Sequence, residues 1–220
     1  MLSVKTLHHI AGNSADHLYP LGTKNDNNTS ETFITEVEDY FKVVKGIYRI
    51  SVLDLGCAGG QLIVDFVNRG HVGVGLEGSD YNVIHGKWNW PVYHNKNLFN
   101  CDVTKPYQVY DDDRQLKFDL IMAWELVEHI PGNDLRYFFK NVSSNLDDGG
   151  IFIASINTMS CMNDGHELHV SVHDKEKWFS MFREGLLEDT GLLALPFFPF
   201  RNKVRKFRTS LYITMIKKYL

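Results

Sequence analysis

Along the chain, short apolar runs containing β-branched residues alternate with stretches whose apolar positions recur at helical spacing. Ile50-Ser51-Val52-Leu53 reads as a buried strand. Gly56-Cys57-Ala58-Gly59-Gly60 breaks it, and Gln61 to Val67 resumes as a helix. Val72 to Leu76 is a second strand, ending at Glu77, and Asp80 to Trp88 is a short helix. Asn97 to Val103 is a third strand, stopped by Thr104-Lys105-Pro106, and Leu116 to Ala123 is a fourth. A helix from about Asn133 to Leu146 carries Leu135, Phe138, Phe139 and Val142; Asp147-Asp148-Gly149-Gly150 then turns into a fifth strand, Ile151 to Ile156. Trp178, Phe179, Met181 and Phe182 lie on a last helix ended by Gly191. Leu192 to Phe198 and Leu211 to Ile216 are the sixth and seventh strands.

Upstream, residues 1–30 are polar and irregular and read as an arm or lid, the alternative being a flexible terminus. Thr29-Ser30-Glu31 opens a helix bearing Phe33, Val37, Tyr40, Phe41 and Val44. The division expected is therefore 1–30 as the arm and 31–220 as one α/β domain. Strands alternating with helices predict a parallel sheet with right-handed crossovers and ligands at the carboxyl ends of its strands.

The chemistry begins at the turn after the first strand. Glycine serves there where φ is positive or a ligand approaches the backbone, and the following helix offers free N–H groups and a positive dipole end. Glu77 lies 21 positions after Gly56, at a strand end where an acid can accept both hydroxyls of a ribose. Asp54 stands two residues before the first glycine. A carboxylate there repels a pyrophosphate and suits the ammonium of an amino-acid ligand. The run Asp54-x-Gly56-x-Ala58-Gly59-Gly60 resembles motif I of the class I S-adenosylmethionine-dependent methyltransferases, D/E-x-G-x-G-x-G, with Ala58 in place of the middle glycine. The swap suits a backbone of negative φ at that position. A nicotinamide-binding oxidoreductase is the rival from another class, and Asp54 argues against it.

The resemblance extends over nearly the whole chain. It implies a Rossmann-like seven-stranded mixed sheet, order 3-2-1-4-5-7-6 with strand seven antiparallel, helices on both faces, and S-adenosylmethionine as cofactor. Asp102, with Val103, falls where the family places the acid that accepts from the adenine amino group. Phe118-Asp119-Leu120-Ile121 followed by Trp124, Glu125, Glu128 and His129 resembles the segment after strand four, and Leu146 to Gly150 the turn before strand five. The cofactor-binding set this implies is Asp54, Gly56, Cys57, Ala58, Gly59, Gly60, Glu77, Gly78, Asp102, Val103, Trp124 and Glu125.

Composition narrows the classes. Hydrophobic residues make up 44% and charged residues 23%, as in soluble globular proteins, and no apolar run reaches transmembrane length. Cys57, Cys101 and Cys161 show no paired spacing and read as thiols in a reducing compartment, the cytoplasm. A formal charge of −4 gives no pull toward nucleic acid. The N/D-P-P-Y/F motif that grips a flipped base is missing after strand four. No membrane partner is expected.

Methyl transfer from a sulfonium is mostly positioning, but an oxygen acceptor must also lose a proton, which suits histidine. His129 follows strand four. His166, His169 and His173 lie in the segment after strand five, which contributes the acceptor pocket in the family. The string from His169 to Trp178 resembles H-V-x-V-x-x-x-x-x-W of glycan-associated methyltransferases. His169 is the preferred base, His129 the second, and His166 completes the catalytic set; the plain alternative is a strand with surface histidines. The Cys161 and histidine spacing fits no zinc finger, so no metal is expected. Trp88, Trp90, Tyr81, Tyr93 and His94 form an aromatic stretch, with Trp88 read as core. Arg201, Lys203, Arg205, Lys206 and Arg208 read as a solvated hairpin tip. The function expected is O-methylation of a hydroxyl on a sugar, glycan precursor or other polar small molecule. A non-catalytic cofactor-binding scaffold, or action on nucleic acid or protein, stands as the alternative.

Overall fold

The computed structural model describes residues 1–205 and 208–217. In chain order the elements are β1 (Leu2–Thr6), α1 (Ala15–Leu18), α2 (Leu21–Asn25), α3 (Glu31–Lys45), β2 (Ser51–Leu55), α4 (Gln61–Asn68) and β3 (Val72–Glu77). Then come α5 (Tyr81–Ile84), α6 (Trp90–Tyr93), β4 (Leu98–Asn100), β5 (Tyr107–Asp111), β6 (Arg114–Gln115), β7 (Phe118–Trp124), α7 (Gly132–Asn145) and β8 (Leu146–Asn157). The chain finishes with β9 (Met162–Asn163), β10 (His166–Glu167), α8 (Lys175–Met181), β11 (Leu192–Leu195) and β12 (Ser210–Lys217).

The central sheet has seven strands in the order β11-β12-β8-β7-β2-β3-β4. β4, β3, β2, β7 and β8 run parallel, and β12 lies antiparallel between β8 and β11. This is the expected mixed sheet in the expected order. Strand pleating sends alternate residues to opposite faces, so both faces carry a core. Val52, Leu120 and Met122 pack with Phe33, Phe41, Leu62 and Phe66 of α3 and α4. Leu53, Leu55, Ile121 and Phe152 pack with Phe138 and Phe139 of α7 and with Trp178 of α8.

Local chemistry explains the long helix α3. Ser30 caps its N-terminus by accepting from the Phe33 N–H, and Gly46 ends it at φ +67°. Its buried face is Phe33, Ile34, Val37 and Phe41, while Val44 is exposed, so Ile34 takes the core position that spacing assigned to Val44.

Several elements depart from expectation. The first 30 residues are not irregular: β1 pairs antiparallel with β5, which pairs with β6, in a separate three-stranded sheet. Tyr107 and Val109 of β5 are buried with Gln108 exposed between them, a period-two signal that the proline before it masks. The helix placed over Asp80 to Trp88 is only the short turn α5; Gly86 and Trp88, both at positive φ, end it, and α6 follows beyond Trp88. Trp88 is exposed rather than core, donating its indole N–H to the Lys24 carbonyl at 3.2 Å; Trp90 is the buried one. β8 runs straight through Asp147 to Gly150, with a register shift opposite Phe118 to Leu120 instead of a turn. A side chain at Gly150 would sit 2.7 Å from the Phe118 carbonyl oxygen, so only glycine fits that close approach. The last helix ends near Met181, where the chain enters a π-helical turn, Phe182–Leu186, well before Gly191. No helix among the described residues is long and apolar enough to cross a membrane.

Candidate cofactor and acceptor site

β2 ends at Leu55 and the backbone then turns sharply. Gly56 and Gly60 adopt φ +72° and +82°. Gly56 and Cys57 donate their N–H groups to the Leu76 carbonyl at 2.8 and 3.1 Å, which ties the turn to β3. Ala58 has φ +44°, contrary to the negative φ that its small side chain suggested. The left-handed conformation costs a non-glycine residue on the order of 1 kcal/mol. The turn holds Ala58 there through its N–H, which donates to Glu77 Oε2 at 2.9 Å, and its carbonyl, which accepts from Trp90 and Asn82.

The free N–H expected at the start of α4 is partly spent, because the Gln61 N–H donates to Asn27 Oδ1 at 3.0 Å. Asn27 also packs where a side chain at Gly59 would stand, and the Gly59 N–H donates to the Asp26 carbonyl at 2.9 Å. The glycine turn is thus braced by the N-terminal segment. Two further backbone bonds fasten that segment: Ala11 N–H to the Gly78 carbonyl, and Asp102 N–H to the His8 carbonyl, both 2.9 Å.

Two cavities lie at the carboxyl ends of the parallel strands. The first, about 350 Å³, is walled by Gly56, Glu77, Gly78, Asp102, Val103 and Leu126, and roofed by residues His8 to Asp16. The second, about 410 Å³, is lined by Gly56, Ala58, Glu77, Trp124, Glu125, Leu126, Asn157, Ser160, Cys161, Leu168, His169 and Arg205. Both include Asp16, Gly56, Glu77, Leu126 and His129, so they meet at these five residues.

Three buried acids, Asp54 before the glycine turn, Glu77 on both cavity walls and Glu128 beside His129, are abnormal. Asp54 is buried and its carboxyl is pushed up to about 8, by desolvation first and by the Glu77 charge second. Glu77 is pushed up to about 7 by burial, against the pull of the N–H groups of Ser79 and Ala58. Glu128 is held well above the carboxylate range by burial and by Glu125, while its Oε1 accepts from the Asn157 N–H at 2.9 Å.

On the acceptor side, β9 and β10 form a small hairpin that presents His169. Its Nδ1 lies 2.5 Å from the Met159 carbonyl oxygen and its backbone N–H donates to Glu167 Oε1. A carbonyl only accepts, so Nδ1 carries the proton and Nε2 keeps its lone pair. His129 meets His169 edge-on with ring centroids 4.6 Å apart. Burial and His169 depress the His129 imidazole to about 4, which keeps it neutral at physiological pH. Glu128, His129 and His169 each bring a donor atom within 4.8 Å of the others, the set among the described residues that a cation could bridge. Glu128 Oε1 accepts from the Asn157 N–H and His169 Nδ1 contacts the Met159 carbonyl, while Glu128 Oε2 has no hydrogen-bond partner among the described residues.

Of the expected cofactor residues, the structure gathers Gly56, Ala58, Glu77, Gly78, Asp102, Val103, Trp124 and Glu125 around the two cavities. Asp54, Cys57, Gly59 and Gly60 line neither: Asp54 is buried beneath the turn, Cys57 packs against Gly75, and Gly59 and Gly60 permit contact with Asn27 and Leu98. His166 lines neither cavity, being exposed and stacked on Tyr19 at 4.0 Å, and His173 packs edge-on against Trp178. Arg205 is not at a solvated tip; it is largely buried, pairs with Asp26 and lines the second cavity, while Arg201 and Arg208 are exposed and Lys206 lies outside the described residues. Asp16, Asn27 and Arg205 were missed as site residues. They sit in polar stretches with no periodic neighbour, and only folding brings them to the glycine turn.

The residues fit a nucleoside-bearing amino-acid cofactor. Asp54 Oδ1 is buried with no hydrogen-bond partner among the described residues, an orphaned acceptor at the foot of the turn. A side chain at Gly56 would come within 3.0 Å of Leu126, so the turn stays open only as glycine.

The comparisons with known proteins agree. A methyltransferase-domain family model matches residues 25–199. A ubiquinone biosynthesis O-methyltransferase of Pelagibacter ubique (strain HTCC1062) is 35% identical over 114 residues, 51% of this chain and 45% of that protein. One from Nitrobacter winogradskyi is 30% identical over 106 residues, 48% of this chain and 38% of its own length. The chain thus spans less than half the length of these curated relatives. Among solved structures, an S-adenosylmethionine-dependent methyltransferase from Clostridium acetobutylicum superposes with TM-score 0.55 at 17% identity, covering 93% of this chain and 96% of the other. The glycopeptide N-methyltransferase MtfA, complexed with S-adenosylhomocysteine, gives 0.56 at 13% identity, covering 93% and 98%. The chain belongs to the methyltransferase-domain family, and the cofactor of that class I fold is S-adenosylmethionine.

Proposed function

We propose that this chain is an O-methyltransferase that methylates a hydroxyl of a small acceptor seated in the second cavity, with His169 as the base. One observation carries the reading: His169, its Nδ1 engaged by Met159, stands on the wall of a cavity that meets the cofactor cavity at Gly56, Leu126 and His129. S-adenosylmethionine, when bound, supplies the methyl group from its sulfonium. Glu77 would accept the ribose hydroxyls, Asp102 and Val103 would frame the adenine, and Asp54 would answer the ammonium end. His169 Nε2 takes the acceptor proton as the new oxygen–carbon bond forms. His129, depressed to about 4, is too weak a base for that task.

The curated relatives named for ubiquinone biosynthesis are O-methyltransferases, which supports an oxygen acceptor. A phenolic hydroxyl, ionising near ~10, matches an imidazole better than an alcohol does. A sugar hydroxyl is the second reading, supported by the polar wall of Asn157, Ser160 and Arg205. Three unpaired cysteines support residence in a reducing compartment such as the cytoplasm.

The test is S-adenosylhomocysteine production with catechol and with UDP-glucose as probes. Turnover of catechol supports the phenolic reading and turnover of UDP-glucose the sugar one. His169→Ala should lower kcat on the order of 100-fold or more while leaving cofactor affinity intact. Full turnover by His169→Ala would refute the histidine base, and binding of S-adenosylhomocysteine without turnover of any hydroxyl would favour a scaffold.

A further inference from the structure

We propose that Asp16, delivered by the N-terminal segment, is a positioning residue that fixes the His129 ring on which the His169 base rests. The inference deepens the O-methyltransferase reading and depends on it for its kinetic consequence. Asp16 belongs to α1, whose start is capped by the Ser14 hydroxyl accepting from the His17 N–H. It stands where the two cavities meet and lines both. Its Oδ2 lies 3.0 Å from His129 Nδ1, a buried nitrogen that makes no aligned hydrogen bond among the described residues, while the Leu168 backbone bonds the same ring. The other face of His129 meets His169 edge-on at 4.6 Å.

The neighbouring acids are bonded to backbone: Glu77 accepts from the N–H groups of Ala58 and Ser79, and Glu128 Oε1 from that of Asn157. Glu128 Oε2 has no hydrogen-bond partner among the described residues, but Asp16 is the carboxylate set at ion-pair distance from His129 Nδ1. The groups facing it are His129, His169 and Arg205 on the favourable side, with Glu77, Glu128 and Cys161 feeling its charge unfavourably. A buried carboxylate against an imidazole fixes ring orientation and steadies positive charge that develops beside it. During transfer the acceptor O–H proton passes to His169 Nε2. The O–CH₃ bond forms, and the S–CH₃ bond breaks with its electron pair left on sulfur. Asp16 makes and breaks no bond; it holds His129 and offsets the charge on His169. Because Asp16 rides on the segment fastened at His8, Ala11 and Asp26, docking that segment completes the acceptor side as well as roofing the cofactor.

The experiment compares wild type, Asp16→Asn and Asp16→Glu, each saturated with S-adenosylhomocysteine at one fixed pH. Protein labelled with ¹⁵N-histidine reports the ring nitrogens of His129, assigned with His129→Gln. Asp16→Asn should move those resonances toward a mixture of tautomers, Asp16→Glu should restore them, and affinity for S-adenosylhomocysteine should stay within about twofold. With catechol, kcat of Asp16→Asn should fall on the order of 10- to 100-fold at nearly constant KM, with partial rescue by glutamate. Unchanged His129 resonances in Asp16→Asn would overturn the proposal. So would a loss of cofactor affinity that matches the loss in kcat, since that pattern belongs to a roof and not to a positioning group. If His169→Ala keeps full turnover, the base reading fails by itself, and the ring resonances still decide the role of Asp16.

Discussion

Cofactor binding should depend on pH through two buried acids, and the sign follows from their surroundings. Glu77 is displaced to about 7 and Asp54 to about 8, both chiefly by desolvation. At neutral pH a large share of each is therefore protonated in the free protein. To accept ribose hydroxyls or answer an ammonium, each must be ionised, so binding should expel protons. Bringing Glu77 from about 7 back to its ordinary 4.5 corresponds to roughly 3 kcal/mol, at about 1.4 kcal/mol per unit. Below its own free-protein value, each acid should weaken affinity by up to about tenfold per unit of pH lost, the two together up to about a hundredfold below pH 7, and affinity should level off only above about 8. Calorimetry with S-adenosylhomocysteine from pH 6 to 8.5, in two buffers of different ionisation enthalpy, measures both the slope and the protons released. Glu77→Gln should bind more weakly and show a shallower slope. The free protein should behave in the opposite sense. Between the unfolded value near 4.5 and the folded value near 7, native Glu77 holds a proton that the unfolded chain has lost. Its stability should thus fall as pH rises through that window, with Asp54 extending the fall toward pH 8. A dissociation constant independent of pH, with no proton released in either buffer, would refute the reasoning.

Two further substitutions separate fold from site. Asp119 accepts from the Ser51 N–H and hydroxyl at 2.9 Å and from Lys45 at 2.7 Å, so Asp119→Ala should cost about 2–4 kcal/mol in denaturant unfolding without altering S-adenosylhomocysteine affinity in the folded fraction. Gly60→Ala places a methyl 2.5 Å from Leu98 at φ +82°, and should lower stability by about 1–3 kcal/mol and weaken S-adenosylhomocysteine binding more than about tenfold; normal binding by this variant would mean that the turn is softer than its contacts imply.

How much of this was legible in the sequence depends on whether a signal is periodic. β2, β3, β7 and β8 announce themselves because each is buried on both faces and so reads as a continuous apolar run. Gly56, Glu77 and Trp124 at the ends of β2, β3 and β7, with Asp102 just after β4, inherit their positions from that register, and the structure sets all four around the cavities. β1 and β5 were lost because a two-strand pairing more than a hundred residues apart leaves only a short alternation in each partner. Asp16 and Arg205 were lost for a deeper reason. Each lies in a polar stretch where a charge is ordinarily solvated, and each is partly buried against a distant histidine or carboxylate. Ala58 is the opposite case, a visible residue with an invisible conformation. A small side chain is compatible with either sign of φ, and the choice is made by Glu77, Trp90 and Asn82, which take hold of its N–H and carbonyl from other elements. The same three contacts tie the turn to Glu77 and to the aromatic stretch after β3. The departure from the middle glycine is therefore carried by tertiary hydrogen bonds, and its cost belongs to how the loop is held against Glu77.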